Sequence, residues 1–265
     1  MVSKIKKKLF TQVLLKKIFW ATIFAVAMGF LESAIVIYLR ELYYPNGFIF
    51  PLKITFAPHI ALTEIIREAA TIIILISVSI SLGKIFIERF AFFIYCFAIW
   101  DIFYYVFLKL ILNWPESFFT WDVLFLIPAM WVGPVIAPII LSLTMILLAF
   151  CIIYFNQKSI RINKNKVLTP DIGKLWILLI IGSIILIVNF VWDYCQFIFQ
   201  HYSFSEILLL PEKKFFSLSS QYMPRAFNWW VFLLGEIILL SAIILFYKKS
   251  SRIYSSDTYN LRETS

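Results

Sequence analysis

Charge and cysteine are both scarce in this chain, and the common signatures of soluble catalysis are missing. Only 15% of residues are charged, against 62% hydrophobic and a mean hydropathy of +0.89, which excludes an ordinary soluble domain. The three cysteines, Cys96, Cys151 and Cys195, lie in or at the edge of apolar runs with no Cys-x-x-Cys spacing. Neither a disulfide framework nor a thiolate metal site is expected from them. There is no Gly-x-x-x-x-Gly-Lys phosphate loop, no His-Glu-x-x-His pair and no Gly-x-Ser-x-Gly elbow, which disfavours nucleotide-driven pumping and the familiar serine or zinc hydrolases. No inverted repeat of the kind that marks secondary transporters is convincing. Every connection between apolar runs is shorter than the roughly 50 residues a separate soluble domain needs.

What the chain does have is long continuous apolar runs, and these predict an all-α, polytopic membrane bundle of six transmembrane helices. The spans are expected at about 18–39, 59–82, 90–112, 133–155, 174–195 and 228–247, each near the roughly 20 residues a helix needs. Barrel strands would instead alternate apolar and polar residues over about 10 positions. The first run contains Ala25-Val26-Ala27, yet it continues through Leu39, beyond a signal-peptide core of about 7–15 residues, so it is read as a span.

Lysine and arginine set the expected orientation. They cluster before the first span (Lys4, Lys6, Lys7, Lys8, Lys16, Lys17), between the second and third (Lys84, Arg89), between the fourth and fifth (Lys158, Arg161, Lys164, Lys166) and after the sixth (Lys248, Lys249, Arg252). All fall on one side of a six-span protein, so both termini are predicted cytoplasmic in a cell-membrane protein. The net charge of +9 then reflects topology and attraction to anionic lipid, with no nucleic-acid partner. Residues 1–17 read as a basic amphipathic segment, with Ile5, Leu9 and Val13 at helical spacing, and residues 248–265 as a polar cytoplasmic tail. Pro45-Asn46-Gly47 reads as a turn in the first outer connection. Residues 200–227, with Leu208-Leu209-Leu210 beside Glu212, Lys213 and Lys214, read as an interfacial cap.

The apolar stretch from Val123 to Phe155 is too long for one span and contains Pro128, Pro134 and Pro138. It predicts a break near 121–138, with residues 121–131 as a short helix or re-entrant segment.

Ionisable residues inside spans are costly, and they are the main functional lead. At about 1.5 Å of rise per residue, Glu32, Glu68, Asp101 and Glu236 fall in one layer roughly 9 to 14 Å below the outer boundary. Asn189 lies at a similar level, while Glu64, Asp122 and Asp193 lie nearer the surface. Arg67 shares a helical face with Glu64 and is expected to pair with it, and Tyr104 and Tyr105 follow Asp101 at spacings that let a phenol reach its carboxylate. Trp-Asp recurs at Trp100-Asp101, Trp121-Asp122 and Trp192-Asp193, a pattern that would place an indole at the interface beside an inward carboxylate.

The carboxyl groups outnumber Arg67, the single arginine read as intramembrane, leaving several to be protonated, hydrated or bound to a cation. This predicts an acidic, aromatic-lined pocket near the extracytoplasmic face that binds or transports a cation, a proton-coupled solute or an amine. The alternative is an integral membrane enzyme acting on a lipid or lipid-linked substrate, with carboxylate acid/base chemistry or a divalent cation held by the carboxylates. A third reading is a noncatalytic subunit whose charges hold helices or a membrane-protein partner together.

Overall fold

The computed structural model describes residues 2–45, 47–51, 58–162, 172–209 and 212–263. Its elements run α1 (Val2–Tyr43), α2 (Pro58–Leu82), α3 (Phe86–Leu112), β1 (Trp121–Phe125), β2 (Trp131–Pro134), α4 (Ile136–Ile162), α5 (Ile172–His201), α6 (Phe204–Leu209), α7 (Glu212–Ser219) and α8 (Trp229–Glu263). Six of the helices, α1 to α5 and α8, contain stretches long and apolar enough to cross a membrane. The chain is therefore a multi-pass membrane helix bundle. Outward faces carry large apolar side chains such as Ile73 on α2, Ile180 on α5 and Leu245 on α8, as a lipid-facing surface requires.

α3 is the centre of one half of the bundle, packing on α1, α2 and α4, and α8 joins α4 to α5 in the other half. Small residues permit the close approaches. Buried Ala21 and Ala25 of α1 share a core with Ala91 and Cys96 of α3. A Cβ added to Gly235 of α8 would lie 2.7 Å from Leu186, and one added to Gly182 of α5 would lie 2.8 Å from Leu239, so these helices meet nearly backbone to backbone. Gly47 adopts φ +92, a conformation glycine takes without a Cβ clash, within the segment read as a turn; its neighbour Asn46 lies outside the described residues.

The chain is broken near residues 121–138, and the broken segment is a β-hairpin, not the short helix considered from sequence. β1 and β2 pair antiparallel, with Trp121 opposite Pro134, Asp122 opposite Gly133 and Val123 opposite Val132. Pairing satisfies backbone groups that helical geometry would otherwise have to satisfy in an apolar setting. Pro138 falls in the first turn of α4, where its missing N–H is no loss. Gly133 lets β2 lie on α5, since a Cβ there would be 3.1 Å from the Phe190 ring.

α6 and α7 occupy the connection read as a cap. Glu206 folds back over the start of α6, with the Ser203 hydroxyl and amide both donating to Glu206 Oε2 at 2.7 Å. Those bonds hold the Glu206 carboxyl below its ordinary range. The leucine triplet, Glu212 and Lys213 have side chains outside the described set, as do Ile5, Leu9, Lys158, Arg161, Lys164 and Lys166. The basic segment at residues 2–17 continues as part of α1 without a break.

Candidate functional site

A cavity of about 580 Å³ lies beneath the hairpin, walled by α1, α2, α3, α4 and α5 and by residues of α6 and α7. Eight of the residues singled out from sequence line it: Glu32, Glu64, Arg67, Glu68, Asp101, Tyr104, Tyr105 and Asp122.

The polar groups form four separate arrangements. Arg67 of α2 bridges Glu32 of α1 and Glu64 of its own helix, with Nε donating to Glu64 Oε2 at 2.8 Å and Nη1 donating to Glu32 Oε2. Arg40, in the last turn of α1, pairs through Nη2 with Asp122 Oδ1 of β1 at 3.1 Å, and its guanidinium lies 3.7 Å from the Trp114 ring centre. Asp122 is only 2% exposed, so this pair also ties the hairpin to α1. Glu68 Oε2 accepts the Leu126 amide at the hairpin tip at 2.9 Å. Asp101 Oδ2 accepts the Ser142 hydroxyl of α4 at 2.8 Å.

Two expectations are corrected here. The phenol of Tyr104 donates to Asp122 Oδ2 at 3.4 Å, and Asp101 takes its hydrogen bond from Ser142, because the hairpin brings Asp122 to that face of α3. Arg67 is not the one arginine facing the acidic groups: α1 runs to Tyr43, so Glu32, Val36 and Arg40, at successive steps of four, share one wall. That spacing was present in the sequence. Ser142 carried no comparable signal, and neither did the hairpin contact to Glu68.

Three predicted residues do not line this cavity. Glu236 is buried on α8 and accepts the Thr144 hydroxyl at 2.8 Å. Asn189 is buried on α5. Asp193 Oδ2 accepts the Tyr222 hydroxyl at 2.7 Å and the Arg225 amide at 3.1 Å, fastening the segment after α7 onto α5. Burial and the adjacent Asp193 push the Tyr222 phenol well up, so it keeps its proton and donates. The Trp-Asp pattern does not have one meaning, since Trp100 is 5% exposed and buried, while Trp192 is exposed.

The electrostatic balance decides what the cavity offers. Its lining holds five carboxyl groups and two guanidinium groups. Among the described residues, Glu68 Oε1 and Asp101 Oδ1 receive no hydrogen bond, although the second oxygen of each does. The N–H groups of Trp100 and Trp131 also lack partners among the described residues, but those atoms are covered by the surrounding side chains and do not face the void. No group of three or more His, Cys, Asp or Glu side chains among the described residues is arranged to hold a metal ion; the carboxylates are divided among arginines, an amide and a hydroxyl.

No protein-family model, curated protein or solved structure matches the chain.

Proposed function

We propose that this membrane protein binds an organic cation, an amine with an apolar body, in the cavity beneath the hairpin. The observation that carries this reading is the pair of carboxyl groups, Glu68 and Asp101, that line a largely apolar void and have one oxygen each without a partner among the described residues. A lone carboxylate in a low-dielectric site is either protonated or met by positive charge. A void of about 580 Å³ is far larger than a bare ion, and aromatic walls including Trp100, Phe97 and Tyr104 favour a cation carrying apolar groups. Transport would add a change of access to this binding step. With the termini cytoplasmic, as the lysine and arginine distribution predicts, the cavity belongs to the extracytoplasmic half of the cell membrane.

The test compares dodecylamine with dodecanol by calorimetry on the purified protein. Dodecylamine is expected to bind, and dodecanol to bind at least about tenfold more weakly, a gap of about 1.4 kcal/mol. Glu68→Gln and Asp101→Asn keep the shape and the accepted hydrogen bonds while removing the charge, and each should narrow that gap in protein of normal folded yield. Equal affinity for both compounds, or variants with an unchanged gap, would reject the reading.

The same two carboxyl groups also favour a second reading, an enzyme acting on a lipid or lipid-linked substrate, because a free oxygen facing a bound molecule is what general acid or base catalysis needs. Turnover of a lipid extract by the native protein that Asp101→Asn abolishes would select it.

A further inference from the structure

Two of the helices that wall the cavity, α2 and α5, do not pack on each other, and this bears on where the ligand comes from. α2 rests on α3 and touches α7, whereas α5 rests on α8 and β2, so α2 and α5 do not form a packed pair. Ala61 and Ile65 of α2 nevertheless line the cavity from one side, and Cys195, Ile198 and Phe199 of α5 from the other. Phe204 and Ile207 of α6 and Phe215 of α7 lie along the same rim. The other side of α2 is crossed by the Arg67–Glu32 ion pair, so an apolar chain passing there would have to go by two charged side chains.

Apolar side chains predominate beside this gap, with Gln196 and Gln200 of α5 as exposed amides among them. Leu62 and Ile66 of α2 are exposed large aliphatics, Trp192 of α5 is an exposed indole, and Phe199 both lines the cavity and is 54% exposed. A mouth used by a small water-soluble amine would be edged by more than two neutral amides, because a charged solute is costly to bring through a mainly apolar rim. Beyond this rim, the first charges a ligand meets are on the inner walls, at Glu64, Glu68 and Asp101.

We infer that the ligand is a membrane-dissolved amphiphile, a long-chain amine that enters sideways from the bilayer between α2 and α5 and leaves part of its chain in that gap. This rests on the amine reading above and adds the source and the route. Counted from water, each methylene that leaves it raises affinity about fourfold, most of the gain being made on entry to the bilayer, so a long-chain amine should fill the cavity at far lower total concentration than a short one.

The experiment uses the native Cys195 and an introduced cysteine, Ile65→Cys, with Cys151→Ala to remove the other half-buried thiol; Cys96 is fully buried and is left in place. Bismaleimides of increasing length are applied to the purified protein in nanodiscs, and dodecylamine occupancy is followed by native mass spectrometry. Linking before dodecylamine is added should lower occupancy at early times at least about tenfold, and linking afterwards should retain ligand through washing. Butylamine should bind at least about tenfold more weakly than dodecylamine in the unlinked protein. If linked and unlinked proteins fill equally fast, or no bismaleimide bridges the two positions, the side route is wrong while the amine reading stands. If butylamine binds as well as dodecylamine, the ligand is a water-soluble amine and the amphiphile assignment fails. If the unlinked protein binds neither amine, both readings fall. Should the cysteine variant not fold, Phe199→Ala and Ile65→Trp serve in the native background: the first should speed filling and the second slow it, and no change from either overturns the route.

Discussion

The α5–α8 seam and the α1–α2 seam join neighbouring helices by opposite means. Between α5 and α8, Gly182 and Gly235 sit against Leu239 and Leu186 so closely that neither glycine has room for a Cβ. Between α1 and α2 the tie is Arg67, holding Glu32 across the gap and Glu64 on its own helix. An apolar seam of small residues excludes space and fixes the separation of its helices. An ionic tie holds two helices at the reach of a long side chain and leaves room beside them. The cavity lies on the ionic side, and the difference explains why.

Breaking the ionic tie should have the largest effect. Arg67→Ala leaves Glu32 and Glu64 facing each other without a counter-charge in a mostly buried place, and unfolding in detergent should show a loss of about 3 kcal/mol. Adding Glu32→Gln and Glu64→Gln should recover most of that loss, because a polar set removed together leaves no buried charge behind. If the triple variant is as unstable as Arg67→Ala, the tie acts through packing and not through charge.

The apolar seam should resist repair of that kind. Gly235→Ala places a methyl 2.7 Å from Leu186, and the expected cost is about 1–3 kcal/mol in the same assay. Leu186→Ala in the same chain would relieve the clash but leave its own void, so the double variant should remain below the native protein. Full recovery would mean that this seam is as adjustable as the other.

The smallest effect is expected outside both seams, at the α6 cap. The Glu206 carboxyl is held below its ordinary range by the Ser203 hydroxyl and amide, so its contribution is complete above the ordinary glutamate range and is lost as pH falls through its lowered value. The protection of the Ser203 amide, its intrinsic exchange rate relative to the observed rate at each pH, should fall on acidification, and Glu206→Gln should remove that dependence while both seams stay intact.

The helices were legible in the sequence because a span is written in consecutive residues: length and apolarity locate it without reference to any partner. The break was legible for a similar reason, through Pro128, Pro134 and Pro138, but its form was not. A hairpin depends on pairing Trp121–Phe125 with Trp131–Pro134, and at Val123 to Phe125 the register is irregular, so alternation is too weak to read. The acidic residues announced themselves by their cost in lipid, yet depth alone could not say which of them meet. Glu236 and Asp101 fall at similar heights, but Glu236 is turned toward Thr144 and Asp101 toward Ser142. Arg40 was missed because a span counted by hydrophobicity stops at Leu39, one residue short of a charge that the helix carries inward.

Glu68 has one oxygen on the scaffold and one facing the void. The bond from the Leu126 amide to Oε2 is charge-assisted while the carboxyl is ionised and roughly half as strong once it is protonated. A cation held at Oε1 keeps the group ionised, so the guest would tighten a latch that it never touches. The hairpin tip is then stiffer around an occupied cavity than around an empty one, and exchange of the Leu126 amide becomes a gauge of occupancy. Because Gly133 lays the same hairpin on Phe190, a stiffer tip would bear on α5 as well.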